Sequence, residues 1–209
     1  GAAGFPYETE PNANWVQRFY NAMRRHPRSR QPVSWLGSGN LAVQRTWFEA
    51  IGGFRETLTA CEDVDLCNRL VGSGTSIIAD PRMRSTHYGD PRSLRALFLG
   101  ELWRGRDNLR VTFGGPLTLR HLASALIPIV DLISVSTGIV ALVGGYPVIA
   151  LSLWMVPLLG AMLRAVMIYQ NRQDRGPLVA AGALLVAVVF DIARALALVI
   201  PGSHYARRA

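Results

Sequence analysis

GSGNLAVQRTWFEAIGGFRETLTACEDVDLCNRLVGSG, residues 37–74, runs from a glycine turn through an apolar segment and a second glycine stop to an acidic helix start. That order decides the fold. Gly37-Ser38-Gly39 follows a short apolar strand candidate at 33–36 and lets the backbone turn sharply and approach a ligand closely. Between 40 and 51 the positions Leu41, Val43, Trp47, Phe48 and Ile51 predict a helix, which Gly52-Gly53 stops. Thr59 stands where a cap is expected, with Glu62 and Asp63 in the first turn of a further helix that Gly72 and Gly74 end. Residues 75–79 predict a second strand, closed by Asp80-Pro81. Strands alternating with helices in this way form an α/β layer.

Glu62, Asp63 and Asp65 are the residues in this stretch able to carry acid/base chemistry. Carboxylates at a helix start complement the helix dipole and need no further role. The same placement can also project one carboxylate into a cleft, where it takes a proton from an attacking hydroxyl. Leu66 and Leu70 would then pack the helix while its first turn faces the site, and the spacing fits both readings.

The segment Asn40-Leu41-Ala42-Val43-Gln44-Arg45, the turn Gly52-Gly53-Phe54 and the run Glu62-Asp63-Val64-Asp65-Leu66 resemble, at this spacing, the acceptor-side half of a family 2 glycosyltransferase. The likeness extends from about residue 35 to 70 and more weakly to 110. It implies a GT-A type, Rossmann-like α/β domain and inverting transfer of a sugar from a nucleotide-diphosphate donor to a lipid or polysaccharide acceptor. Asp63 would be the general base, with Glu62 beside it and Cys61 where the family often has Thr. Asp65, Gly39, Asn40 and Gly53 are expected along the substrate. His87 in STHYGDP falls where members carry a His near the donor diphosphate or its metal; otherwise it is a polar loop residue. Glu101-Leu102-Trp103-Arg104-Gly105 falls where cellulose-synthase-like members have QxxRW, so Trp103 and Arg104 are expected at the leaving diphosphate. Glu for Gln and Gly for Trp depart from that processive pattern, and an interfacial girdle of Trp and Arg at headgroup depth is the competing reading. A divalent metal, Mg or Mn, is implied too. Its DxD ligands belong to a nucleotide-binding half that would precede Gly1, and Asp63-Val64-Asp65 lies on the helix of the base.

The rest of the chain is apolar. Residues 122–143, 146–168 and 178–200 are each long enough, as helices, to cross a hydrocarbon core of about 30 Å. The expected division is therefore a glycosyltransferase half over 1–113 and an all-α transmembrane region of three helices over 114–209, broken at Gly114-Gly115-Pro116. Upstream, Trp15, Phe19, Tyr20 and Met23 predict an amphipathic helix before a solvated basic run, Arg24-Arg25-His26-Pro27-Arg28. Within the spans, Asp191 and Arg194 are placed to pair, and Arg164 to snorkel from a helix end; with Asp131 they either brace the bundle or line a polar path for a saccharide.

All 22 basic residues are Arg, and the net charge is +8. Arg grips phosphate in a bidentate fork, which suits anionic membrane lipids or a diphosphate; no nucleic-acid module is present. Cys61 and Cys67 would point about 120° apart on one helix, so no disulfide joins them and a reducing compartment suits them. Arg110, Arg120, Arg172 and Arg175 place their flanks, and the soluble part, on the cytoplasmic face of a multi-pass cell-membrane protein, a rule that Arg207 and Arg208 break. The chain opens at Gly1 without methionine or signal peptide, as a processed chain or a fragment would. The expectation is part of a membrane-anchored transferase, the alternative a non-catalytic accessory or scaffold protein that keeps only the acceptor half.

Overall fold

The computed structural model describes residues 1–24, 26–115 and 119–200; Arg25, Pro116, Arg207 and Arg208, with the side chains of Arg120 and His121, lie outside the described residues. In chain order come β1 (Ala2–Gly4), β2 (Glu8–Thr9), α1 (Trp15–Ala22), β3 (Gln31–Val33), β4 (Leu41–Val43), α2 (Arg45–Ala50), α3 (Glu62–Gly72), β5 (Ile77–Ala79) and β6 (Thr86–His87). Helices follow: α4 (Leu94–Arg104), α5 (Asn108–Phe113), α6 (Leu119–Val143), α7 (Pro147–Gln170) and α8 (Pro177–Leu196).

A mixed sheet of order β3-β5-β1-β4 anchors the first part, with β1 parallel to β5 and both outer strands antiparallel to their neighbours. β2 and β6 form a separate parallel pair, Thr9 opposite His87. Phe5, Leu36, Leu66, Leu70 and Ile77 fill the core between the sheet and α3, so α3 packs by the two leucines its sequence set aside for that purpose.

The helix expected over 40–51 is replaced by a 3-10 turn at Ser38–Asn40, strand β4 and then α2. Leu41 lies opposite Gly4, where the missing side chain lets the Asn40 carbonyl come close, and Val43 lies opposite Ala2. Cross-strand pairing thus overrides a helical pattern built on β-formers. Asn40 then holds the turn in place by donating from Nδ2 to the carbonyls of Phe5, at 2.8 Å, and Met83, at 2.7 Å.

A second core joins the two parts of the chain. Val16, Phe19 and Ala22 of α1 and Leu97 of α4 pack with Ala161, Ala165 and Ile168 of α7 and Ala183, Val186 and Ala187 of α8. The expected amphipathic helix forms over Trp15–Ala22, five residues short of its expected end near Pro27, and is opened by a capping box between Asn14 and Gln17. Its apolar face is buried against the C-terminal helices.

Three helices are long and apolar enough to cross a membrane: Leu122–Val143 within α6, Pro147–Gln170 and Pro177–Leu196. The last stops four residues short of the expected 200. Asp191 and Arg194 do not pair with each other. Arg164 reaches across from α7 to Asp191 at 2.8 Å and stacks its guanidinium over Phe190 at 4.5 Å, while Arg194 turns to Glu101 at 3.9 Å. Arg164 therefore does not snorkel; a partner on the facing helix satisfies it within the bundle.

Candidate active site

α3 begins where three separate segments meet. Cys61, its cap, has φ 59°, a left-handed conformation that non-glycine residues adopt mainly under local constraint. The constraint comes from the α4–α5 junction. Asp107 accepts hydrogen bonds from the Thr59 amide at 2.8 Å, the Thr59 hydroxyl at 2.9 Å and the Ala60 amide at 3.0 Å. Thr59 is therefore a ligand of Asp107, and the expected cap role passes to Cys61. The Cys61 thiol adds a bond to the Arg104 carbonyl at 3.3 Å, and burial raises its pKa to about 12, so at neutral pH it is no nucleophile.

Asp63 sits in the first turn, half-buried. Burial and then the neighbouring Glu62 charge raise its pKa above the usual carboxylate value, while amides of Val64 and Ser38 oppose the rise. Ser38 belongs to the glycine turn, which is thus brought to the start of α3. Gly37 and Gly39 lie against the face of Tyr7, leaving no room at Gly37 for a side chain. Nothing in the sequence pattern singles out Tyr7. Its ring stacks on His87 with centroids 4.8 Å apart, Arg24 lies 5.5 Å from its centre, and its hydroxyl is held up in pKa first by burial, with Asp63 contributing.

Beyond Tyr7 lies a cationic and aromatic wall. Arg24 pairs with Asp90, whose pKa burial would raise but the guanidinium holds below its ordinary value. His87 Nδ1 meets the same carboxylate at 3.0 Å. Arg24 also lies 5.1 Å from the centre of Tyr20, whose hydroxyl donates to Glu101 at 2.9 Å. Glu101, 2% exposed, is bonded to Arg104 at 3.0 Å as well. The expected positions Glu62, Asp63, Gly39, His87 and Arg104 thus gather in one region. Gly105, which departs from the family pattern, lets the end of α4 press against Ala197. Trp103 is half-buried one residue before Arg104.

Asp65, Asn40 and Gly53 serve the scaffold. Asp65 is paired with Arg69 at 2.8 Å and Arg55 at 3.2 Å, and Arg69 donates to the carbonyls of Ile51 and Gly53, fastening the glycine stop to α3. Gly53 is left-handed at φ 65° and lies against the Phe48 ring. The residues present do not make a metal site by themselves. His87 and Asp90 already engage each other and Arg24, and among the described residues no three His, Cys, Asp or Glu side chains group together.

Asp63, Arg24 and Arg104 all act on Tyr7, and a carboxylate of raised proton affinity in such a setting can accept a proton from a hydroxyl while cations meet the charge of a departing phosphate. Tyr7, Asp90 and Asp107 were not singled out in the sequence, and Tyr20 and Arg24 were read only as an amphipathic helix face and a solvated run, because no local pattern or family motif marks them as site residues. The one available signal was Asp90 three residues after His87.

The comparisons with known proteins point the same way at a coarse level. The chain is 34% identical over 126 residues to N-acetylglucosaminyl-diphospho-decaprenol L-rhamnosyltransferase of Mycobacterium tuberculosis, in strains CDC 1551 / Oshkosh and ATCC 25618 / H37Rv. That match covers 53% of this chain and 40% of the relative, so the chain spans well under half the length of the curated proteins it matches. No family model and no solved structure matches. This partial likeness relates the chain to a glycosyltransferase.

Proposed function

We propose that the chain forms the acceptor-side part of a membrane-associated, inverting glycosyltransferase of the GT-A type, which moves a sugar from a nucleotide-diphosphate donor to a lipid-linked or polysaccharide acceptor. The observation that carries this reading is Asp63, a carboxylate of raised proton affinity at the start of α3, facing the glycine turn and the Tyr7–His87 stack. Inversion requires a single displacement. Asp63 takes the acceptor proton as the hydroxyl attacks the anomeric carbon, the bond to the donor diphosphate breaks, and Arg104 and Arg24 stand where the departing charge would be met. Two observations favour a lipid-linked acceptor: α1 and α4, which bear on the site, share their core with the apolar helices, and the name of the M. tuberculosis relative describes transfer to a diphospho-decaprenol glycan.

The divalent metal of the family stays outside this reaction scheme, because no three His, Cys, Asp or Glu side chains group together among the described residues. The decisive experiment is Asp63→Asn in the complete protein. Membrane insertion and folding stay intact while transfer falls by about two orders of magnitude or more, the usual effect of losing a general base. Near-normal turnover by the purified variant would return Asp63 to a helix-dipole role and place the general base elsewhere, whereas no transfer by the unsubstituted complete protein would favour a non-catalytic accessory protein.

A further inference from the structure

α8 has the length and hydropathy of a membrane span, at 20 residues and 2.1, yet both of its ends touch the soluble part. Near its start, Gly182 lies so close to α1 that a Cβ there would stand 2.8 Å from the Phe19 ring. At its far end, Ala197 meets Gly105, the cap of α4. Between these points Arg194 faces Glu101 at 3.9 Å. α4 is itself fastened flat across the soluble part, since Asp90 just before it binds Arg24 and Asp107 just after it binds Thr59 and Ala60. A helix that touches this surface from residue 182 to 197, about 22 Å at 1.5 Å per residue, runs along the surface and not away from it.

The α6–α7 hairpin behaves differently. Its turn is far out in the open, with Val143 84% and Val148 75% exposed, whereas the α7 residues that share a core with α8 are Ala161, Ala165 and Ile168, all in the second half of α7. α8 therefore crosses the base of the hairpin. Its own exposure also follows the pattern of an enclosed helix. Past its exposed first turns, which include Leu178, Ala180 and Ala181, Leu185 and Ile192 of α8 and Val199 just beyond its end stand out at seven-residue intervals, while Val186, Ala187, Asp191, Ala193 and Ala195 on either side are buried.

We propose that α8 lies in the plane of the membrane face, wedged between the soluble part and the base of the α6–α7 hairpin, with the Leu185/Ile192/Val199 stripe against lipid acyl chains. The chain then crosses the bilayer twice and leaves α8 on the side that carries Asp63. This rests on membrane association and not on the proposed transfer.

The complete protein is made in two versions, one with an epitope inserted at Gln173 and one with the same epitope after Ala209. Each is reconstituted into sealed vesicles whose orientation is fixed, and protease is added from outside. Both epitopes should be cut together in one orientation and protected together in the other. Opposite behaviour of the two epitopes overturns the proposal, since it requires α8 to cross. If the insertion at Gln173 disturbs folding, Gln173→Cys read by a membrane-impermeant maleimide supplies the same comparison, with the same two outcomes. The activity loss predicted for Asp63→Asn is independent of either result.

Discussion

Glu62 and Asp63 are adjacent carboxylates with unequal surroundings, and the inequality sets an expected pH dependence. Burial is the larger cause of the raised Asp63 pKa and the Glu62 charge the second. A raised folded-state pKa means that ionising Asp63 costs the fold stability once pH climbs past the unfolded value; below that value both states hold the proton and the cost vanishes. The base becomes active over the same rise in pH, so the acidic limb of kcat/KM should lie above the range of an ordinary aspartate. Glu62→Gln removes one cause and leaves the burial, so that limb should move to lower pH; a limb that stays put or moves up would exclude Asp63 as the titrating group. Asp65, two residues on, should behave oppositely to Asp63. Asp65→Ala strands Arg69 without its carboxylate and should cost about 3 kcal/mol in an unfolding measurement, whereas Asp63→Asn should leave stability nearly unchanged. The acidic run shows in the sequence, but the difference between its members does not: it depends on Arg55, Arg69 and Ser38, which reach α3 only through folding.

At the scale of elements, the position of α3 is set from outside α3. Asp107, at the α4–α5 junction, holds the two residues before the left-handed Cys61 with three hydrogen bonds, so it fixes where the helix starts and where Asp63 points. Asp107→Ala should lower kcat by about tenfold or more through misplacement of the base, and Asp107→Asn, which keeps one acceptor, should fall between; equal loss in both would mean that charge and not position is at stake. Asp107 is 44 residues from Asp63 in the chain, too far for local patterning to register. Periodicity identified α1, the cap and glycine signals identified α3, and length with apolar composition identified the long C-terminal helices, each a signal carried within its own segment. It failed over 41–43, where Leu-Ala-Val takes its conformation from β1. The Arg164–Asp191 pair between α7 and α8 was missed for a similar reason: helical spacing predicts partners within one helix, and the true partner came from the next. Arg164→Met alone should destabilise the protein in detergent more than Arg164→Met combined with Asp191→Leu, because the single change leaves a carboxylate buried without its cation.

For the whole molecule, the concentration of long apolar helices in the C-terminal part was legible from composition, but their packing onto the rest of the chain was not. α1 and α4 enter the same core as α7 and α8, so the apolar helices form one wall beside the candidate site as well as an anchor. Arg24, expected in a solvated run, is drawn inward by Asp90, just past the end of α1, which docks on the C-terminal helices. Docking also fixes relative sidedness. Asn171, opening the loop between α7 and α8, donates to the Ala22 carbonyl at 2.8 Å, and Arg172 lies 4.3 Å from the centre of the Phe19 ring, so this loop shares a face with α1 and hence with Asp63. Tyr146, at the opposite turn of the hairpin, is 62% exposed. The loop over 171–176 carries Arg172 and Arg175, whereas the turn at Gly144-Gly145 carries no charge, and short loops rich in Arg are retained in the cytoplasm. A cysteine at Gln173 should therefore be protected from an impermeant maleimide in intact cells and become reactive on permeabilisation, while one at Tyr146 should label from outside. Cys61 and Cys67 complicate little, as Cys67 is buried and burial raises the pKa of its thiol to about 11, where thiolate is scarce at neutral pH. Labelling of Gln173 in intact cells would put Asp63 on the outer face, where nucleotide-diphosphate sugars made in the cytoplasm do not reach it, and the proposed donor would fall with the orientation.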